Sequence, residues 1–117
     1  MDEKSGEMKE SYMELKRSFA PIIMFDKGYA RAFMELEDET YKEGALSPKI
    51  KRLMSVSISV ILHCKYCIAF HVKEAIELGA TRKEIMESAL LAGTMGGGPA
   101  AVYIRHVIDA CNEFGAE

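Results

Sequence analysis

Apolar residues recur at steps of three and four along most of this chain, which is the spacing of a helix with one buried face. In MKESYMELKRSF, residues 8–19, Met8, Tyr12, Leu15 and Phe19 share such a face, and Pro21 then interrupts the segment. From Asp26 to Lys42 the positions Tyr29, Ala30, Phe33, Met34, Leu36 and Tyr41 follow the same steps and predict a second helix ending near Gly44. The next stretch, LSPKIKRLMSVSISVILHC, is ambiguous: Val56, Ile58 and Val60 alternate with Ser55, Ser57 and Ser59 as a half-buried strand would. Yet Ile50, Leu53, Met54, Ser57, Ile58, Ile61 and Leu62 form a helical stripe through the whole segment. Ser47 followed by Pro48 is also a strong helix start, with the hydroxyl capping free amides and the ring at the first helical position. Helix is the reading adopted.

A further helix runs from Cys64 to Leu78 and is closed by Gly79, which can take the left-handed conformation at a helix end. Thr81 with Glu84 makes a capping box for a helix reaching about Met95. MGGGP, residues 95–99, breaks the chain as a tight bend, and a last helix is predicted from Pro99 to Phe114 before Gly115. The expectation is an all-α fold, a bundle of five to six helices in a single domain over residues 1–117.

Composition narrows the function classes. About half of the 117 residues are apolar, enough for a core of its own. A net charge of -3, with acids and bases interspersed, gives no basic stripe for nucleic acid. The longest apolar runs fall short of the ~18 residues of a membrane span, and the charged start MDEKSGEMKE is unlike a signal peptide, so a cytoplasmic protein is expected. Three cysteines, two of them two residues apart, point to redox or metal chemistry more than to a disulfide framework.

The chemistry concentrates in HCKYCIAFH, residues 63–71. On a helix, a rise of ~1.5 Å per residue at a radius of ~2.3 Å sets Cα atoms three apart at ~5 Å, inside the ~4.4–6.8 Å range of a disulfide. At a helix start both sulfurs would sit near unpaired amides and the positive end of the dipole, which favours thiolate. Lowering a thiol pKa from ~8.5 to ~6.5 raises the thiolate fraction at pH 7 from a few per cent to roughly three quarters and takes about 2.7 kcal/mol. A helix terminus alone supplies less, so a second group is expected. His71 lies four residues after Cys67 and seven after Cys64, and helical side chains lean toward the N-terminus, tipping the imidazole over Cys67. Cys67 is then the assisted thiol, with the imidazole exchanging protons near its ordinary pKa, and Cys64 the resolving one.

The motif Cys64-Lys65-Tyr66-Cys67 with His71, preceded by LSPKIKRLMSVSISV and followed by GATRKEIMESALLAGTMGGGPAAVYIRH, resembles the carboxymuconolactone decarboxylase family in its alkylhydroperoxidase-like (AhpD-like) branch. The resemblance spans residues 46–109. It implies an all-helical AhpD-like fold, assembly as a homo-oligomer, trimer or hexamer, and a peroxidase or disulfide reductase activity with no cofactor and no metal. It also implies that the position matching Cys67 attacks a small peroxide or disulfide, that Cys64 resolves, and that a thioredoxin-like or lipoyl-bearing protein supplies electrons. One departure stands out: the branch usually carries a relay glutamate twelve residues before the first cysteine, where this chain has Arg52. A guanidinium there would stabilise a thiolate by charge but pass no proton, which favours general dithiol–disulfide chemistry over hydroperoxide reduction. Tyr66 stands where some members place a histidine. Arg52 and Tyr66 are therefore accessory candidates.

Other readings compete. Cys64, Cys67 and His71 with Cys111, His63 or His106 are the right ligand types for zinc, although no second CxxC or CxxH accompanies them. A decarboxylase or lactone enzyme, as the family name implies, would need neither thiol, and a redox-sensing protein would need no substrate. His63 reads as a cap or surface group, His106 as a core or interface histidine, and Cys111 as a small buried residue.

Overall fold

The computed structural model describes residues 6–117. Among them are six helices of eleven residues or more, one four-residue helical turn and no strand. In chain order these are α1 (Glu7–Phe25), α2 (Lys27–Tyr41), α3 (Pro48–Ile61), α4 (Lys65–Glu77), α5 (Arg82–Gly96), the turn α6 (Gly98–Ala101) and α7 (Ile104–Phe114). The chain is all-α, as its periodicity predicts.

The starts follow local chemistry. Asp26 accepts the Tyr29 amide ahead of α2, Ser47 accepts the Ile50 amide ahead of α3, and both halves of the Thr81–Glu84 capping box form ahead of α5. Helix α1 has no side chain of its own as a cap; the Glu113 carboxylate of α7 accepts the Lys9 amide at 2.8 Å instead.

Two boundaries differ from the sequence reading. Pro21 does not end α1, which runs on to Phe25. Proline removes one amide donor and crowds the carbonyl four residues back, but Pro21 is exposed, and Ile23 beyond it shares an apolar wall with Phe33 of α2. The last helix does not start at Pro99 in one piece either: α6 gives way to a turn at Val102–Tyr103 before α7. The glycine run makes that bend. Gly97 sits at φ 73, where a side chain is strained, and a Cβ on Gly96 would stand 2.6 Å from that of Ala100 and 2.7 Å from Ile61.

The strand-like alternation of residues 55–60 also has a physical origin. Leu53, Val56 and Val60 face the core, whereas Ile50, Met54, Ile58 and Ile61 form a second apolar face left 40–54% exposed. The stripe drawn from the sequence is therefore mostly the outer one. The serines between the two faces fit a helix because Ser55 and Ser59 donate to carbonyls four residues back, at 2.9 and 2.7 Å.

Helix α4 packs against α1, α3 and α7, and α5 packs against α3. Met8, Val56, Val60, Ile68, Val72, Ile85, Val107 and Cys111 are its fully enclosed neighbours or members, all in one cluster. Helix α2 buries only Ala30 and lies mainly on α1, so it forms a wall rather than part of the core. Because Gly97 has the strained φ and Gly98 has open space around its Cβ position, Gly97→Ala should cost about 1–3 kcal/mol in urea unfolding, and Gly98→Ala within about 0.5.

Candidate functional site

The site is built on the first two turns of α4. The chain leaves α3 through His63, a left-handed residue at φ 55, and turns into the extended Cys64, which caps α4. Cys64 and Cys67 are joined as a disulfide across 5.2 Å between Cα atoms, the separation helix geometry gives. The Cys67 amide donates to Cys64 Sγ at 3.2 Å. Of the two sulfurs expected to meet free amides, Cys64 is the one that does.

Two openings reach the sulfurs from different sides. A cleft of about 620 Å³ between α1, α2 and α4 ends on Cys67 and His71, with Leu15, Phe19, Phe33, Met34 and Phe70 among its walls. Its lining is mostly apolar. A more open groove along α1 exposes both sulfurs, bordered by Glu14, Arg17, Ser18 and Tyr66. Tyr66 belongs to this groove and not to the cleft.

Arg52 projects from α3 and is only 7% exposed. Its Nη1 donates to Glu37 Oε2 of α2 at 3.0 Å and lies 3.0 Å from His71 Nδ1. Nη2 is 3.9 Å from the Glu74 carboxylate, and the guanidinium stacks 3.5 Å from the centre of the Tyr41 ring. A guanidinium has donors only, so His71 Nδ1 accepts and the ring proton of the neutral imidazole resides on Nε2. Burial, and then the Arg52 charge, push the His71 pKa from 6.5 down to about 4. That departs from the expectation of an imidazole titrating near its ordinary value. Arg52 itself faces the site.

The sequence profile of the Carboxymuconolactone decarboxylase family matches residues 27–110. The chain belongs to that family. A carboxymuconolactone decarboxylase family protein of Legionella pneumophila superposes with a TM-score of 0.87 at 30% identity, over 92% of this chain and 96% of that one. A Thermotoga maritima family member, described as a candidate for the antioxidative response, gives 0.79 at 26% identity over 89% of each chain. Uncharacterized protein 4 in the cox locus of Paracoccus denitrificans is 33% identical over 82 residues, covering 70% of this chain and 74% of its own.

Within this carboxymuconolactone decarboxylase fold, Cys64, Cys67, His71 and Arg52 come together and Tyr66 borders the groove beside the cysteines, while His63, His106 and Cys111 lie apart. His63 stacks on Tyr103 at 4.9 Å and His106 meets the same ring edge-on at 5.3 Å, and none of the three lines either opening. His106 Nδ1 is enclosed and has no hydrogen-bond partner among the described residues. Cys111 is a free, fully buried thiol whose pKa burial pushes up. Among the described residues no group of three or more His, Cys, Asp or Glu is placed to hold a metal ion, so the zinc grouping drawn from sequence is not assembled.

Glu37 and Tyr41 are additions that only the fold reveals. They lie on α2, outside the motif, and nothing in their spacing ties them to His71. Glu74 was more accessible to reasoning, being one turn after His71 on the same helix.

His71 also makes stability pH-dependent. Its folded pKa of about 4 lies below the ordinary 6.5, so between those values the unfolded chain binds the extra proton. Stability from this residue is present above pH 6.5 and is lost as pH falls toward 4, by an amount on the order of 3 kcal/mol. Urea unfolding at pH 7 and pH 4.5 should show that loss in the native chain and a smaller one in His71→Asn.

Proposed function

We propose that this chain is a thiol-dependent oxidoreductase of the alkylhydroperoxidase type, reducing peroxides or disulfides through the Cys64–Cys67 dithiol. The observation that carries the reading is the disulfide at the start of α4, with Cys67 alone reaching the apolar cleft beside His71. A substrate held in that cleft meets Cys67 and not Cys64. The antioxidative description attached to the Thermotoga maritima relative agrees with it.

In the reduced protein the Cys67 thiolate attacks one atom of an O–O or S–S bond. A hydroperoxide gives a Cys67 sulfenic acid and, with one proton taken up, the alcohol; a disulfide gives a mixed disulfide on Cys67 and a thiolate that water protonates. Cys64 then attacks Cys67 Sγ, expelling water or the second thiol and closing the disulfide. Two electrons leave the cysteine pair in each cycle. An external dithiol restores them, in our reading a thioredoxin-like or lipoyl-bearing protein that reaches the sulfurs through the groove beside Tyr66. Cycling of this kind belongs to a reducing compartment, the cytoplasm.

The half-exposed Ile58 and Leu62 with Leu90, Leu91 and Met95 present apolar surface of the kind that assembly covers. A homo-oligomer, trimer or hexamer, follows from the same reading. Ile58→Glu should then lower the mass seen by sedimentation; an unchanged monomer mass in both proteins would refute assembly.

Cys67→Ser should abolish turnover of peroxides and disulfides. Cys64→Ser should retain a single Cys67 adduct, seen by mass spectrometry, without catalytic cycling. Full turnover in Cys67→Ser, or in the double alanine variant of Cys64 and Cys67, would end the thiol reading in favour of lactone or decarboxylase chemistry.

A further inference from the structure

We propose that Arg52, braced by Glu37, pins His71 as a donor at Nε2 and thereby makes Cys67 select disulfides over hydroperoxides. The proposal rests on the thiol-redox reading above and names its substrate class.

The geometry supplies the first step. One nitrogen of Arg52, Nη1, has two hydrogens and two partners, Glu37 Oε2 and His71 Nδ1, each at 3.0 Å. A proton added at Nδ1 would set two donors against each other and bring a second positive charge beside the guanidinium. The imidazole therefore does not alternate between base and acid. The other titratable groups around the ring are engaged elsewhere or face water. From α2, Glu37 accepts from Arg52 at Oε2, which holds it as the ionised partner of the guanidinium, and the Tyr41 hydroxyl is hydrogen-bonded to Ser55. From α4, Glu74 faces Arg52 Nη2 and Cys67 is the reacting group. From α1, Lys16 reaches the cleft but is solvent-exposed, with its ammonium near the Tyr12 hydroxyl.

The chemistry supplies the second step. Cleaving O–O expels an alkoxide or hydroxide, a far stronger base than a thiolate, so this departure needs a proton. Cleaving S–S expels a thiolate with a conjugate acid near ~8.5, stable in water as the anion. The disulfide cycle balances without an internal acid: Cys67 S⁻ displaces RS⁻ from RSSR, and Cys64 S⁻ displaces the second RS⁻ from the mixed disulfide. The cysteine pair loses two electrons, the substrate gains them, and water protonates the two thiolates. His71 Nε2–H can hydrogen-bond a leaving oxygen, but a neutral imidazole gives up that proton only as imidazolate. Forgoing general-acid catalysis typically forfeits about 10²–10⁴ in rate, a loss that falls on the peroxide alone. The mostly apolar cleft adds that the favoured disulfide is an apolar one.

The test uses the intact, reduced protein in stopped flow with dibenzyl disulfide and cumene hydroperoxide at pH 7. The disulfide rate constant should exceed that of the peroxide by about 100-fold or more. Equal rates, or a faster peroxide, would overturn the preference alone, whereas reaction with neither would overturn the redox reading along with it. Arg52→Gln, which frees Nδ1, should narrow the ratio at least tenfold and give the peroxide reaction a new pH limb near the histidine range; an unchanged ratio in folded Arg52→Gln counts against the proposal. Should that variant fail to fold, nitrogen-15 shifts of His71 in the native chain still decide the point. An unprotonated Nδ1 with a protonated Nε2 from pH 6 to 8 is expected, and an Nδ1–H form or an imidazolium at pH 7 would refute it.

Discussion

A guanidinium that is 7% exposed is a charge the protein has to satisfy, and the arrangement around Arg52 follows from that need. Glu37 comes from α2, Glu74 and His71 from α4, and the face of Tyr41 from α2, so one cation on α3 ties together two of the three helices that enclose the cleft. Helix α2 buries only Ala30 and lies mainly on α1, and its last turn is also tied to α3 by Lys51, which donates to the Thr40 and Lys42 carbonyls. The apolar side chains it offers to the cleft, Phe33 and Met34, stand one and two turns before Glu37 and Tyr41 on the same helix, so the contacts of that pair with Arg52 help fix them. Packing in the core positions α4; electrostatics positions the wall opposite it.

The start of α4 does the complementary work. Cys64 occupies a cap position normally given to Ser, Thr, Asp or Asn, and its sulfur takes the amide hydrogen bond that an oxygen would take. Cys67, one turn on, has its own amide directed at Cys64 and its sulfur opening on the cleft. Two cysteines in one motif thus differ in surroundings: one sulfur is held by the helix terminus, the other faces the apolar space.

Local chemistry was readable from the sequence wherever one short segment decides the outcome. Ser47–Pro48, the Thr81–Glu84 box, Gly79 and the CxxC spacing all specify their geometry within a few residues, and each appears where expected. The failures have a common cause in tertiary context. Pro21 is tolerated because its helix has partners on the far side of it, and the break at Val102–Tyr103 depends on how closely Gly96 lets Ala100 and Ile61 approach. Residue 52 as a position was legible from the motif, but its partners Glu37 and Tyr41 were not, because no periodicity links the second helix to a histidine thirty-four residues after Glu37. The histidine's altered basicity belongs with these, since it arises from burial and a neighbour on another helix.

The asymmetry between the sulfurs also fixes how the two halves of the proposed cycle relate. The step that closes the disulfide has Cys64 as nucleophile and Cys67 Sγ as the atom attacked, and its reverse has Cys64 as the leaving thiolate. An amide hydrogen bond to Cys64 Sγ stabilises that thiolate in both directions, so it lowers the cost of opening the disulfide as much as it weakens the closing nucleophile. An incoming thiol that attacks Cys67 from the cleft therefore expels the better leaving group, while attack on Cys64 from the groove releases Cys67 without that help. With the imidazole already hydrogen-bonded to a fixed cation, the contact that distinguishes the two sulfurs in the proposed cycle is this amide at the helix start, and not a proton at His71 Nδ1.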